Sequence, residues 1–283
     1  MYRYLFIAAL AVLASVNLAP AWWVKGHESI TEAAAAGLPD DMPAFFRASG
    51  KHLAHYAGDP DRWKNPQAKH LRAAESPDHF LDLEDLEGND LPADRYLAAA
   101  LMVRLKKQPA RVGMLPYAIL ENYDRLSCAF YDYRQDPVNE AIRAKCLVYA
   151  GILSHFTGDA AMPLHTTRDY DGRRGADGRL VQKGIHAKID AFPEKNGLTA
   201  EEICRDLRAQ PIDDVWAHVL HFIRESHAQV KRCYELDEAG AFDRPTAEGR
   251  AFILQRCRAG AQLTMNLWYS AWLRSAKMPP HYN

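Results

Sequence analysis

The sequence predicts an all-α fold, a single mostly helical domain. Apolar residues recur at spacings of three and four through six segments, strand-type alternation is scarce, and Gly- and Pro-bearing stretches separate the segments. With 283 residues, 48% of them hydrophobic and 25% charged, the chain is long enough to bury one large core and lacks the composition of a disordered protein. No composition shift and no internal repeat marks a second domain.

Taken in order, residues 1–21 read as an export signal. Arg3 supplies positive charge, Leu5 to Val16 an apolar run, and Ala19-Pro20-Ala21 a small-x-small cleavage site. Cleavage would leave Trp22 at the start of a mature domain spanning 22–283, located in the periplasm or secreted. The competing reading is an uncleaved anchor, because Tyr4 to Trp23 is nearly apolar over a membrane-spanning length. Helical periodicity then runs through Ile30 to Leu38, Tyr96 to Leu105, Leu115 to Tyr133, Val138 to Phe156, Val215 to Tyr234 and Phe252 to Leu273. The connections Gly58 to Pro77, Lys106 to Pro116 and Thr166 to Gly184 carry the breakers. Export permits disulfides, but Cys128, Cys146, Cys204, Cys233 and Cys257 are odd in number and lack C-x-x-C spacing, so none reads as a zinc ligand. The net charge of −1, which becomes −2 when Arg3 is removed, excludes strong nonspecific attraction of the whole surface to nucleic acid or anionic lipid.

The chemistry concentrates in His155-Phe-Thr-Gly-Asp159-Ala-Ala-Met-Pro-Leu-His165. A histidine and a carboxylate four residues apart share one helix face about 6 Å apart and can grip one metal ion. Gly158 weakens that helix and Pro163 should end it, which places His165 just beyond, where a turn can bring it back toward the metal face. His186-Ala-Lys-Ile-Asp190 repeats the spacing after Gly184, so two helices are expected to face each other with ligands inward. A single such pair is usually a surface ion pair. Two pairs extended by a third histidine make metal-assisted hydrolysis the leading idea. The similarly spaced His221 and Glu225, His218 and His221, and His52 and His55 lack such an extension and read as core or surface histidines.

These residues resemble a known superfamily, the zinc-dependent single-strand nucleases of the mung bean type together with the bacterial zinc phospholipases C. The resemblance spans most of the mature chain: Trp22-Trp-Val-Lys-Gly-His27, Asp61 in Asp-Pro-Asp-Arg-Trp-Lys, His79 in His-Phe-Leu-Asp, the His155 run, and His186 with Asp190. It implies a helical fold with three zinc ions in a cleft. The first ion would be held by Asp61, His79, His155 and Asp159, and the second by His165, His186 and Asp190. The third would take the α-amino and carbonyl groups of Trp22 with His27 and Asp159, so that Asp159 bridges two metals. Asp59 is the rival to Asp61, which has a basic residue three positions later, Lys64, matching the family's aspartate-x-x-basic pattern. That lysine stands where the nucleases have arginine, and it reads equally as a cation near the transition state or as a solvated surface residue.

The resemblance further implies phosphoester hydrolysis, with Asp61, Lys64 and Asp159 as the catalytic group and Phe80 and Asp82 as nucleobase contacts. Phe80 reads equally as core. The five-residue step from Trp22 to His27 resembles the nucleases, and Lys25 would repel a quaternary ammonium. The family's Gly-Gly-Asn segment is missing from the loop Tyr170-Asp-Gly-Arg-Arg-Gly-Ala-Asp-Gly, whose basic residues Arg173, Arg174, Arg179 and Lys183 are read as a solvated cluster ahead of phosphate contacts. The expected substrate is single-stranded nucleic acid or a nucleotide, with phospholipid second and a silent metal-stabilised binding protein third. No obligate protein partner is evident.

Overall fold

The computed structural model of the chain describes residues 22, 24–175 and 177–280; the expected export signal lies outside them. The fold is mostly helical, as the periodicity predicts. The first part comprises α1 (Val24–Ala36), α2 (Ala44–Arg47), α3 (Gly50–Ala57), α4 (Asp59–Trp63), α5 (Lys69–Glu75), α6 (Arg95–Arg104) and α7 (Pro109–Val112). The long antiparallel pair α8 (Leu115–Gln135) and α9 (Glu140–Ala161) follows. The chain is completed by α10 (Ile185–Lys195), α11 (Ala200–Cys204), α12 (Val215–His227), α13 (Val230–Glu238) and α14 (Ala247–Ser275).

The principal helices begin where their caps are. Asn139 accepts from the backbone N–H groups of Ala141 and Ile142 at the start of α9, and Thr246 accepts from Gly249 at the start of α14. Helix α9 is the axis of the molecule. It is buried on every face from Ala150 to Ala161, packed by α8, α14, α3 and α1. An aromatic cluster closes one side, with the Phe46 ring 5.1 Å from Phe130 and 5.4 Å from Trp268. Because a helix buried all round must be apolar, its His155 and Asp159 are the exceptions that need a chemical reason.

The structure departs from the sequence reading in four places. The segment read as a connection from Gly58 to Pro77 folds into α4 and α5, started by a proline at the second position of α4. Lys106 to Pro116 contains the single turn α7, and Val215 to Tyr234 is two helices, separated at Ala228 and Gln229. The loop from Thr166 to Gly184 carries a two-residue antiparallel hairpin, β1 (Arg173–Arg174) and β2 (Leu180–Val181), with Arg173 opposite Val181. All five cysteines are free thiols. Among the described residues, no helix is long and apolar enough to cross a membrane.

Candidate metal centre

Five parts of the fold converge on the C-terminal half of α9. Helix α1 brings His27, whose ring stacks on that of His155 at 4.0 Å between centroids and 19° between planes. Helix α4 brings Asp61, and the 3-10 turn Ser76–His79 brings His79. Pro163 stops α9 at Ala161, and the following 3-10 turn Pro163–Thr166 swings His165 back, as its spacing predicts. Helix α10 supplies His186 and Asp190 one turn apart, 3.1 Å between Nε2 and Oδ2.

Three sets of donor atoms result, each gathered within 4.8 Å: Asp61 with His79 and His155; His27 with His155 and Asp159; His165 with His186 and Asp190. The first two are fused. Asp159 Oδ2 lies 2.9 Å from His79 Nδ1 and 3.3 Å from His155 Nε2, while its Oδ1 lies 3.4 Å from His27 Nε2. Asp61 Oδ1 lies 3.9 Å from His155 Nε2 and 4.0 Å from His79 Nδ1. Trp22 is fully buried, with its indole N–H donating to the Gly158 carbonyl at 2.9 Å, which holds this residue beside the centre. Phe80 and Asp82 continue directly from His79. The decoys are elsewhere: His52 and His55 are exposed, and His221 pairs with Glu225 at the surface.

The imidazoles are oriented for coordination by backbone carbonyls. His155 Nδ1–H donates to Ala57 at 2.8 Å, and His165 Nδ1–H donates to His79 at 2.5 Å, leaving both Nε2 lone pairs aimed inward. The second of these lone pairs meets His186 Nε2 at 3.0 Å. No pattern in the sequence announces a carbonyl as a partner, so these contacts were invisible before the fold. The same is true of Gly158. A Cβ there would meet His27 Nδ1 at 2.8 Å, so this position clears space for a ligand ring.

Hydrogen bonding does not account for the interior. Among the described residues, ten buried side-chain nitrogen or oxygen atoms lack a hydrogen-bond partner, and nine belong to His27, Asp61, His79, Asp159, His186 and Asp190. Unpaired buried polar atoms typically cost about 1–3 kcal/mol each, so a concentration of this kind calls for cations. The donor set fits. Imidazole with carboxylate suits zinc, whereas all-oxygen cages suit magnesium or calcium.

The electrostatics agree with that reading. Burial pushes His79 down to about 4, assisted by Lys64, and pushes His165 down to about 3, so both are neutral donors at pH 7. Burial also opposes charge on Asp159, but His155 and His165 outweigh it and hold the carboxylate well below its usual range. For His155 the opposing burial is overcome by Asp159 and Asp61, which raise it. Burial pushes Asp190 up to about 6, against the pull of His186. Lys64 is no solvated surface residue: its side chain is 12% exposed and its ammonium sits 2.5 Å from Asp61. The rival Asp59 instead pairs with Arg62 at 2.6 Å.

The segment after His79 is clamped in place. Leu81 N–H donates to the His165 carbonyl at 2.9 Å, Asp82 N–H to Val112 at 2.7 Å, and Leu115 N–H to Phe80 at 3.2 Å. Gly113, with φ of +98°, allows this approach because a Cβ there would fall 2.0 Å from the Phe80 carbonyl oxygen. Phe80 is half-buried, and Asp82 is buried with its carboxyl pushed up to about 8 by desolvation and by Glu84 and Asp85. It therefore keeps its proton to higher pH than an ordinary aspartate.

No family model and no curated protein matches this chain. Among solved structures, it is similar to Clostridium perfringens alpha-toxin from avian strain SWCP, at 16% identity and a TM-score of 0.43, over 88% of this chain and 62% of the toxin chain. At that distance the likeness carries no functional argument. The chemistry rests on the donor sets.

Proposed function

We propose that the protein is an exported zinc-dependent phosphodiesterase that hydrolyses single-stranded nucleic acid and 3′-nucleotides. The observation that supports this best is the placement of Asp159 and His155 between adjacent donor sets in which several buried nitrogen and oxygen atoms lack a hydrogen-bond partner. One ion would be held by Asp61, His79, His155 and Asp159, and a second by His165, His186 and Asp190. A third would be held by His27 and Asp159, with the Trp22 carbonyl and the α-amino group that cleavage before Trp22 would free.

When bound, zinc supplies Lewis-acid stabilisation of a phosphoryl group and lowers the pKa of water toward neutrality. The chain's own groups do the rest. Asp159 and Asp61 supply negative charge among the histidine donors, which outweigh burial and lower their pKa values. Lys64, anchored on Asp61, presents one fixed positive charge to an anionic phosphoryl oxygen, as a point charge without the bidentate fork of arginine. Phe80 offers a ring to a base, and Asp82 can hydrogen-bond its edge.

The test is hydrolysis by zinc-loaded mature protein of single-stranded DNA, RNA, 3′-nucleotides and phosphatidylcholine, with and without chelator. Chelator-sensitive release of nucleotides is expected. Preferential release of diacylglycerol would transfer the assignment to phospholipid, and bound zinc without turnover on any substrate would make the protein a metal-stabilised binding protein.

A further inference from the structure

Tyr170 is one of the few large apolar side chains exposed on this molecule, at 40%, and it stands against the second donor set. Its ring meets that of His186 edge-on, with centroids 5.8 Å apart and planes at 78°. The backbone on both sides is pinned. Asp169 accepts a short hydrogen bond from the Tyr234 hydroxyl, which in turn accepts from Gly172 N–H at 3.1 Å. Asp171 accepts from Gly184 N–H at 2.8 Å and so ties the segment to the start of α10. An exposed ring held on a fixed backbone is preorganised for a planar partner, because little freedom remains to be lost on binding.

The hairpin that follows supplies charge of the matching sign. Between residues 173 and 183 it carries Arg173, Arg174, Arg179 and Lys183 against the single carboxylate Asp177, on a chain whose net charge is −1. Arg174, Arg179 and Lys183 are exposed, with Arg179 3.6 Å from Asp177, and Arg173 and Arg174 line a cavity of about 460 Å³ together with Glu238, which pairs with Arg173 at 3.6 Å. An aromatic face followed closely in the chain by exposed cations is a combination that suits single-stranded nucleic acid.

We propose that Tyr170 and the hairpin form a second substrate-contact site, in which Tyr170 stacks a nucleobase on the His186 side while the hairpin faces the neighbouring phosphates. This inference rests on the phosphodiesterase reading and specifies its substrate. Phe80, on the far side of His79 in sequence, would then contact a different nucleotide.

The experiment compares Tyr170→Ala and Tyr170→Phe with the wild-type chain, zinc-loaded, on a short single-stranded DNA and on the same backbone with abasic residues around the scissile bond. Tyr170→Ala is expected to raise KM for the base-bearing oligomer about 10-fold more than for the abasic one, within the range of a lost base stack. Zinc content should be retained, Tyr170→Phe should behave as wild type, and affinity for dAMP measured by calorimetry should fall in parallel for the alanine variant alone. Equal losses on both oligomers, or loss of zinc in Tyr170→Ala, would show that the ring only props His186 and would overturn the site. If the wild-type chain cleaves neither oligomer, the phosphodiesterase reading fails, and the dAMP affinities alone decide the stacking site.

Discussion

Replacing Asp159 by asparagine is expected to weaken two donor sets at once. The carboxylate uses Oδ2 toward His79 and His155 and Oδ1 toward His27. Asparagine keeps one oxygen, turns an N–H₂ group toward histidines that must present lone pairs, and removes the negative charge that raises His155. At least one zinc should be lost per chain, and kcat/KM should fall well beyond the roughly 10- to 100-fold typical of losing an outer hydrogen-bond partner of a metal ligand. Metal analysis beside steady-state kinetics checks both. Full zinc and full activity in Asp159→Asn would remove the shared carboxylate from the account.

Gly158→Ala should have the second-largest effect, and in the direction opposite to helix propensity. In an ordinary helix interior this substitution stabilises by about 0.5–1 kcal/mol. Here the new Cβ would meet His27 Nδ1 at 2.8 Å and Cε1 at 3.1 Å. The ring has little room to retreat, since its other face stacks on His155 at 4.0 Å. Overpacking of a dense interior costs about 1–3 kcal/mol, which outweighs the propensity gain. The expected result is a helical protein of lower Tm that has lost the ion bound by His27 while keeping those of the other two sets. Thermal unfolding with metal analysis reads it; a higher Tm with unchanged zinc would contradict the placement of His27 against α9.

The long helices were legible because burial of one face imposes a period that the sequence must carry. Helix α9 extends from Glu140 to Ala161, five residues past the end read from periodicity at Phe156, because its last turns are buried all round and lose the contrast on which periodicity depends. The break between α12 and α13 falls at Ala228 and Gln229, residues without breaker character, so tertiary packing decides it. Short α4 and α5 were hidden by the proline and polar residues around them.

Much of the candidate centre was legible for a different reason. Donor residues at a spacing of four must share a helix face, so the pairs His155 with Asp159 and His186 with Asp190 follow from helical geometry alone. Proline at 163 does the same for the return of His165. The convergence of His27, Asp61 and His79 on α9 spans the whole fold and came only from the family resemblance. The carbonyls of Ala57 and His79 that orient the imidazoles, the clearance at Gly158 and the ring of Tyr170 have no signature in sequence, because each matters only through what the fold places beside it.

The central claim is that these buried donors exist to hold cations. It is tested most directly by elemental analysis of the purified mature chain after dialysis against low free zinc. About three zinc ions per chain are expected, one for each donor set. A folded chain that retains none would contradict the account, because the unpaired atoms of His27, Asp159 and Asp190 would then be stable in the interior without the charge that explains them.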